Sequence, residues 1–155
     1  MDPVAETLIT LVRDVRGRTL SILERGHPEW MTRIVTGTAN HMIWHAGHAL
    51  WVQDVICIEP LTGKSQLPEV WTKRFGQHSQ PAKDTGPWPA RETMMELLSN
   101  QLKDIESILA NADPARLSQQ DPGMGRHIIH GFHDEAIHQG EMYLLLKIFR
   151  ADAGK

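Results

Sequence analysis

His41-Met42-Ile43-Trp44-His45-Ala46-Gly47-His48-Ala49-Leu50-Trp51-Val52 is the stretch whose reading decides the fold. In a helix, side chains at i, i+3, i+4 and i+7 share one face. By that arithmetic His41, Trp44, His45 and His48 fall within roughly a third of the circumference. Trp51, Val52 and Val55 continue the same face. An apolar face carrying three histidines points inward, and its ring nitrogens then need partners away from water. Asn40 suits the N-cap, and Pro60 and Gly63 suit the stop, so the spacing predicts a helix from about His41 to about Ile58.

The same pattern returns near the end of the chain. His127, His130, Asp134, His138, Glu141 and Leu145 are three or four residues apart and form one stripe of a second helix, predicted from about Arg126 to about Phe149. The solvated tail Asp152-Ala153-Gly154-Lys155 follows it. Working outward, Asp2-Pro3 reads as an N-cap with proline at the first helical position. Val4, Leu8, Leu11, Val12, Val15, Leu20, Ile22 and Leu23 then keep a mostly helical period up to Gly26. Met94, Leu97, Leu98, Leu102, Ile105, Ile108 and Leu109 do so between Pro89 and about Ala112, where Asp113-Pro114 breaks the pattern. The connectors hold Pro28, Trp30 and Gly37 in one case and Pro122, Gly123 and Gly125 in another. Thr62 to Pro89, rich in Gly, Pro, Ser, Lys and Gln, reads as a long loop, a lid or a crossover. The expected fold is all-α, a four-helix bundle forming one domain over residues 1–155.

Composition narrows the function. A net charge of −3 gives no basic footprint for nucleic acid. No apolar run approaches the length of a membrane span, and Met1 to Glu6 lacks the features of a signal peptide. A single cysteine, Cys57, excludes an internal disulfide, and these features together favour the cytoplasm. Nine histidines in 155 residues matter because most fall in the two stripes.

Asp134 and His138, four apart, can point at one atom. His133 and His138 are five apart, which excludes the zinc-protease pattern. A carboxylate and an imidazole from one helix, with an imidazole from another, make a three-ligand site with open positions, the arrangement of catalytic metals. Nitrogen and oxygen donors without thiolate suit Zn, Ni, Fe or Mn. Glu141 and His130, each one turn away, are candidates to orient the ligands.

The segment Trp44-His45-Ala46-Gly47-His48-Ala49-Leu50-Trp51, together with His133-Asp134-Glu135-Ala136-Ile137-His138-Gln139-Gly140-Glu141, resembles the DinB-like superfamily, the DinB/YfiT metalloenzymes. The resemblance runs through the whole chain in helix order and length. It implies a four-helix bundle with a long crossover between helices two and three, and one divalent metal held by His48, Asp134 and His138. Many relatives have histidine where this chain has Asp134; a carboxylate there is similar to the thiol-dependent isomerase branch, which includes mycothiol-dependent maleylpyruvate isomerase. Members with known activity use low-molecular-weight thiols such as mycothiol, bacillithiol or glutathione, a related domain sits in the iron enzymes of ergothioneine synthesis, and dimers are common.

The leading expectation is therefore a metal-dependent thiol transferase or isomerase acting on a small-molecule substrate, with Asp134 and Glu141 in the catalytic set and a homodimer as the assembly. Arg33 and Arg126, with Lys73 and Arg74, are candidates to hold a thiol cofactor's carboxylates. The alternatives are metal-assisted hydrolysis, with Glu135 or Glu141 as general base, and a non-catalytic metal-binding or stress-response module. His45 reads as a ligand-orienting or surface residue, His41 and His127 as polar groups at the bundle ends, and Trp44 and Trp51 as core and pocket wall. Cys57, about 13 Å along the helix from His48, reads as packing.

Overall fold

A computed structural model of the chain describes residues 1–118 and 124–154. The expected turn residues Pro122 and Gly123, and the terminal Lys155, lie outside the described residues, and Gly125 falls within the last helix. Among the described residues the chain is helical, with no strand.

Helix α1 (Pro3–Arg25) starts as its sequence demands: the Asp2 carboxylate accepts from the backbone N–H groups of Val4 and Ala5, and Pro3 stands in the first turn. Helix α2 (Met42–Gln53) differs from expectation at both ends. Its N-cap is His41 rather than Asn40, because the His41 ring nitrogen Nδ1 accepts from Trp44 N at 3.1 Å. At the other end it does not stop before Pro60. It passes through a π-helical turn (Asp54–Ile58) into a last α-turn (Glu59–Thr62), and ends at Gly63 with φ +80°. In a regular helix Pro60 would strike the carbonyl of Ile56. Here the Glu59 N–H reaches back five residues to Asp54 O, which widens the turn where the ring must fit.

The stretch expected as a loop contains helix α3 (Glu69–Phe75), laid on α2. Three indoles tie it and the chain after it: Trp71 Nε1 donates to Gly47 O at 3.0 Å, Trp51 Nε1 to Thr72 Oγ1 at 3.0 Å, and Trp44 Nε1 to Ser79 Oγ at 2.8 Å. Gly47 is required here, since a Cβ on it would sit 2.2 Å from the Phe75 ring. The segment is thus a strapped crossover. Helix α4 (Arg91–Asn111) begins with Arg91 donating to Gly26 O, which closes the end of α1. Short α5 (Pro114–Ser118) precedes α6 (Met124–Ala153), which carries the helix through Asp152 and Ala153 of the expected tail.

Helices α1 and α2 each pack on α4 and α6, so the four long helices close into a bundle. Its core is divided. One apolar cluster gathers around Leu23, Met42, Leu50, Phe75, Leu98 and Phe149; a second gathers around Leu8, Val12, Cys57, Ile105 and Phe132. Between them lies a polar layer to which each long helix contributes one residue: Arg16, Gln53, Gln101 and Glu135, all buried. Arg16 Nε and Nη2 donate to the two Glu135 carboxylate oxygens at 2.8 and 3.0 Å, Nη2 also to Gln101 Oε1 at 3.1 Å, and Nη1 to Leu98 O at 2.9 Å. Thr19 Oγ1 adds a 2.7 Å bond to Glu135, and Gln101 Nε2 donates to Leu50 O at 2.9 Å.

Removing one member of a buried ion pair leaves the other charge unsolvated, at a cost of about 3–5 kcal/mol, whereas replacing both with apolar groups is often neutral. Arg16→Met alone and Glu135→Leu alone are therefore expected to destabilise the protein by that amount, and the double variant by much less than their sum. Urea unfolding of the three variants checks this; additive losses would show that the two side chains are not coupled.

Candidate metal centre

The polar layer sets the aim of the side chains next to it. Glu135 and Gln139, one helical turn apart, are buried toward α1, where Gln139 Nε2 donates to Val15 O and, at 2.9 Å, to Thr19 Oγ1. Asp134 and His138 each precede one of them by one residue, so they stand about 100° around α6, over the seam with α2. His45 and His48 meet them there from α2, whose residues are buried on nearly every side.

Asp134 Oδ2 lies 3.6 Å from His48 Nε2 and 3.6 Å from His138 Nε2. One donor atom from each of the three residues falls within 4.8 Å of the others. Donors held ~2.1 Å from a tetrahedral ion stand roughly 3.4 Å apart, so the observed spacings suit one ion at their centre.

The hydrogen bonds behind the rings decide which way their lone pairs face. His48 Nδ1 is 2.6 Å from Phe75 O, and a carbonyl only accepts, so Nδ1 carries a proton and Nε2 is the ring nitrogen that faces Asp134. On the other side, His45 Nε2 faces Glu141 Oε2 at 3.2 Å, and its Nδ1 meets His138 Nδ1 at 2.8 Å. Burial, with the neighbouring imidazoles adding to it, pushes the pKa of His45 down to about 3. One proton lies between the two facing Nδ1 atoms; when His138 donates it, the His138 Nε2 lone pair faces Asp134. Burial, and then His48, hold the pKa of His138 below the usual histidine range. Two ring nitrogens and a carboxylate oxygen thus converge. Asp134 Oδ2 is out of solvent and has no hydrogen-bond donor. A buried acceptor without a donor is costly; a divalent cation satisfies all three groups at once, and three protein ligands leave coordination positions open.

Trp44 stacks on the His48 ring at 4.8 Å between centroids and holds it flat. Trp51, Val52, Val55, Ile56, Gln77 and His130 line a cleft of about 220 Å³ that reaches His48 and Asp134 from outside. A second cleft, about 340 Å³, reaches His45 and Glu141 beside Gly37–Asn40 and Leu144.

Of the residues expected from sequence, His48, Asp134, His138, His45 and Glu141 come together, and His130 lines the outer cleft. His127 and His133 are exposed, and His41 is buried as the cap of α2. Arg33 engages Asp152 and lies over the Phe149 ring, Arg74 engages Asp84, Lys73 faces Glu69, and Arg126 is exposed; none of the four lines either cleft. Glu135, weighed as a general base, is committed to Arg16. The carbonyl of Phe75 and the indole of Trp44 were not anticipated as supports of His48; nothing local in the sequence marks a backbone carbonyl that arrives from a crossover.

His41 is likewise held down, to about 4, chiefly by burial and then by the nearby Arg74. For a histidine whose folded pKa lies below its unfolded value near 6.5, the unfolded chain binds more protons between the two, so stability falls as pH drops through that window. The metal-free protein is expected to lose up to about 1.4 kcal/mol per pH unit for each such histidine between pH ~6 and ~4. Urea midpoints across that range check this, and His45→Gln should reduce the slope by one proton; an unchanged slope would show that His45 titrates normally.

No curated protein matches the chain. The sequence model of one family, the DinB superfamily, matches residues 11–142, a span that holds both halves of the histidine–carboxylate cluster. The chain belongs to the DinB superfamily.

Proposed function

We propose that the protein binds one divalent metal ion through His48, Asp134 and His138 and uses it to activate a low-molecular-weight thiol for transfer to, or isomerisation of, a small electrophile. The observation that carries this reading is the donor-free convergence of the His48 and His138 Nε2 atoms on the buried Asp134 Oδ2. A divalent ion bound there lowers the pKa of a thiol that joins it, making thiolate near neutral pH. Phe75 O behind His48 and the His45 ring behind His138 support the reading, because each holds a ligand ring from its Nδ1 side and leaves Nε2 free to face Asp134. The chain's own thiol cannot serve as that nucleophile, because Cys57 is fully buried in the second apolar cluster and burial pushes its pKa up to about 12. The nucleophile therefore comes from outside.

Metal-assisted hydrolysis finds less support. Glu135 is held by Arg16 and Thr19 inside the core, and Glu141 faces His45 rather than the cleft in front of His48. The homodimer expected from the resemblance has a candidate surface in Ile129, Ile137 and Leu144, which are about half exposed on one outward face of α6.

Metal analysis of purified protein tests the reading. One ion per chain is expected in the wild type and none in His48→Ala, while Glu141→Gln should weaken metal affinity by roughly tenfold to a hundredfold through the His45–His138 link. Asp134→Ala should abolish turnover of thiol–electrophile pairs with a stability change below about 1 kcal/mol. A large loss of stability in that variant would mark the metal as structural, and a metal-free wild type would end the proposal.

A further inference from the structure

The cleft in front of His48 and Asp134 has a chemistry of its own. Its apolar walls are Trp51, Val52, Val55 and Ile56, with Gln77 and His130 beside them, and no lysine or arginine among the described residues lines it. Val55 is 38% exposed, a β-branched apolar side chain presented to solvent beside the centre. At ~30 Å³ per water, a volume of about 220 Å³ equals roughly seven water molecules. That is enough for a short chain to lie between these walls, with any further part of the ligand outside the cleft. The cations expected to meet a ligand's carboxylates are engaged elsewhere, Arg33 with Asp152 and Arg74 with Asp84. Along the walls away from the centre, a carboxylate on the ligand's arm would lose its water with no lysine or arginine among the described residues to pair with it.

We infer that the ligand reaching the centre through this cleft carries an uncharged apolar arm of roughly four to six carbons, selected by contact with Trp51 and Val55. The inference rests on the metal reading above, because the ligand's head is placed at the open face of His48 and Asp134. The arm leaves water as it enters, and each buried methylene contributes about 0.8 kcal/mol, close to a fourfold gain in affinity. Gln77 and His130, at the cleft's polar lining, meet the end of the arm.

Cobalt(II)-loaded protein titrated with ethanethiol, propanethiol, butanethiol and pentanethiol reads this out through the thiolate-to-cobalt absorption band. Affinity should rise about fourfold per carbon along the series. The charged probe 3-mercaptopropionate should bind more weakly than propanethiol. Val55→Thr, close in shape and without a charge or strong metal ligand, should keep the cobalt spectrum and weaken the chain-length dependence; Val55→Ala should flatten it in part. Equal affinities along the series, or a preference for the charged thiol, would overturn the selectivity while leaving the metal centre standing. A wild type that shows no cobalt spectrum would remove both readings, which separates the two failures.

Discussion

The buried pair of Arg16 and Glu135 sets the position of everything else in the bundle. Two apolar clusters alone would allow the four helices to slide or rotate, since apolar contact is non-directional. A guanidinium shared among a carboxylate, an amide and a backbone carbonyl permits far less, because its donors leave in a fixed plane. Each long helix contributes a residue to that layer, so the layer fixes their mutual register. The consequence for the site is direct. With Glu135 and Gln139 turned to α1, the neighbours Asp134 and His138 are turned to α2, and they cannot be re-aimed without withdrawing a charge from its partner.

From α2 the complementary constraint is aromatic. Trp44 and Trp51 each give an indole N–H to the crossover, Trp71 gives one back to α2, and the crossover supplies the carbonyl of Phe75 to His48. The imidazole is therefore clamped by its stacking partner on one side and by its hydrogen bond behind. The centre is a meeting of two separately held halves, one by an ion pair and one by a strap. Its donor atoms are held in place by the fold itself, which would lower the ordering cost of binding an ion there. The cost of that readiness appears in the buried neutral histidines and the donor-free carboxylate oxygen, which the folded chain tolerates at the expense of its own stability.

Much of this was legible in the spacing of residues. The first helix could be read to its caps because Asp2, Pro3 and Gly26 act locally. The two histidine stripes were legible because helical period is a local property, and so was the pairing of Asp134 with His138. What escaped were features set by distant chain. Glu135 was read as available for chemistry, yet it stands in the apolar series Ile128, Phe132, Met142 and Leu146, spaced for one face of α6. Arg16 stands likewise in the series of Val12, Thr19 and Leu23 on α1. Two opposite charges, each alone on a buried stripe, are a signal that pairs them across the core. The helix within the crossover was hidden because Glu69–Phe75 is too short to carry its own period and is held by tryptophan hydrogen bonds to α2. The passage of α2 beyond Pro60 was hidden for a different reason: proline rules assume a regular ladder, and here the ladder itself is altered.

The π-helical turn links these constraints to the chemistry. Asp54, its first residue, is buried and accepts from the Ser65 hydroxyl and, at 2.9 Å, from Gln66 N, so the chain leaving α2 is folded back against the helix. The same turn carries Val55 and Ile56, which wall the cleft in front of His48, while Gln53 just before it reaches Glu135. A regular turn would leave no room for Pro60 and would shift every later side chain by about 100°. The irregular turn therefore lets one helix serve the polar layer, the candidate metal centre and the cleft in front of it along a single length.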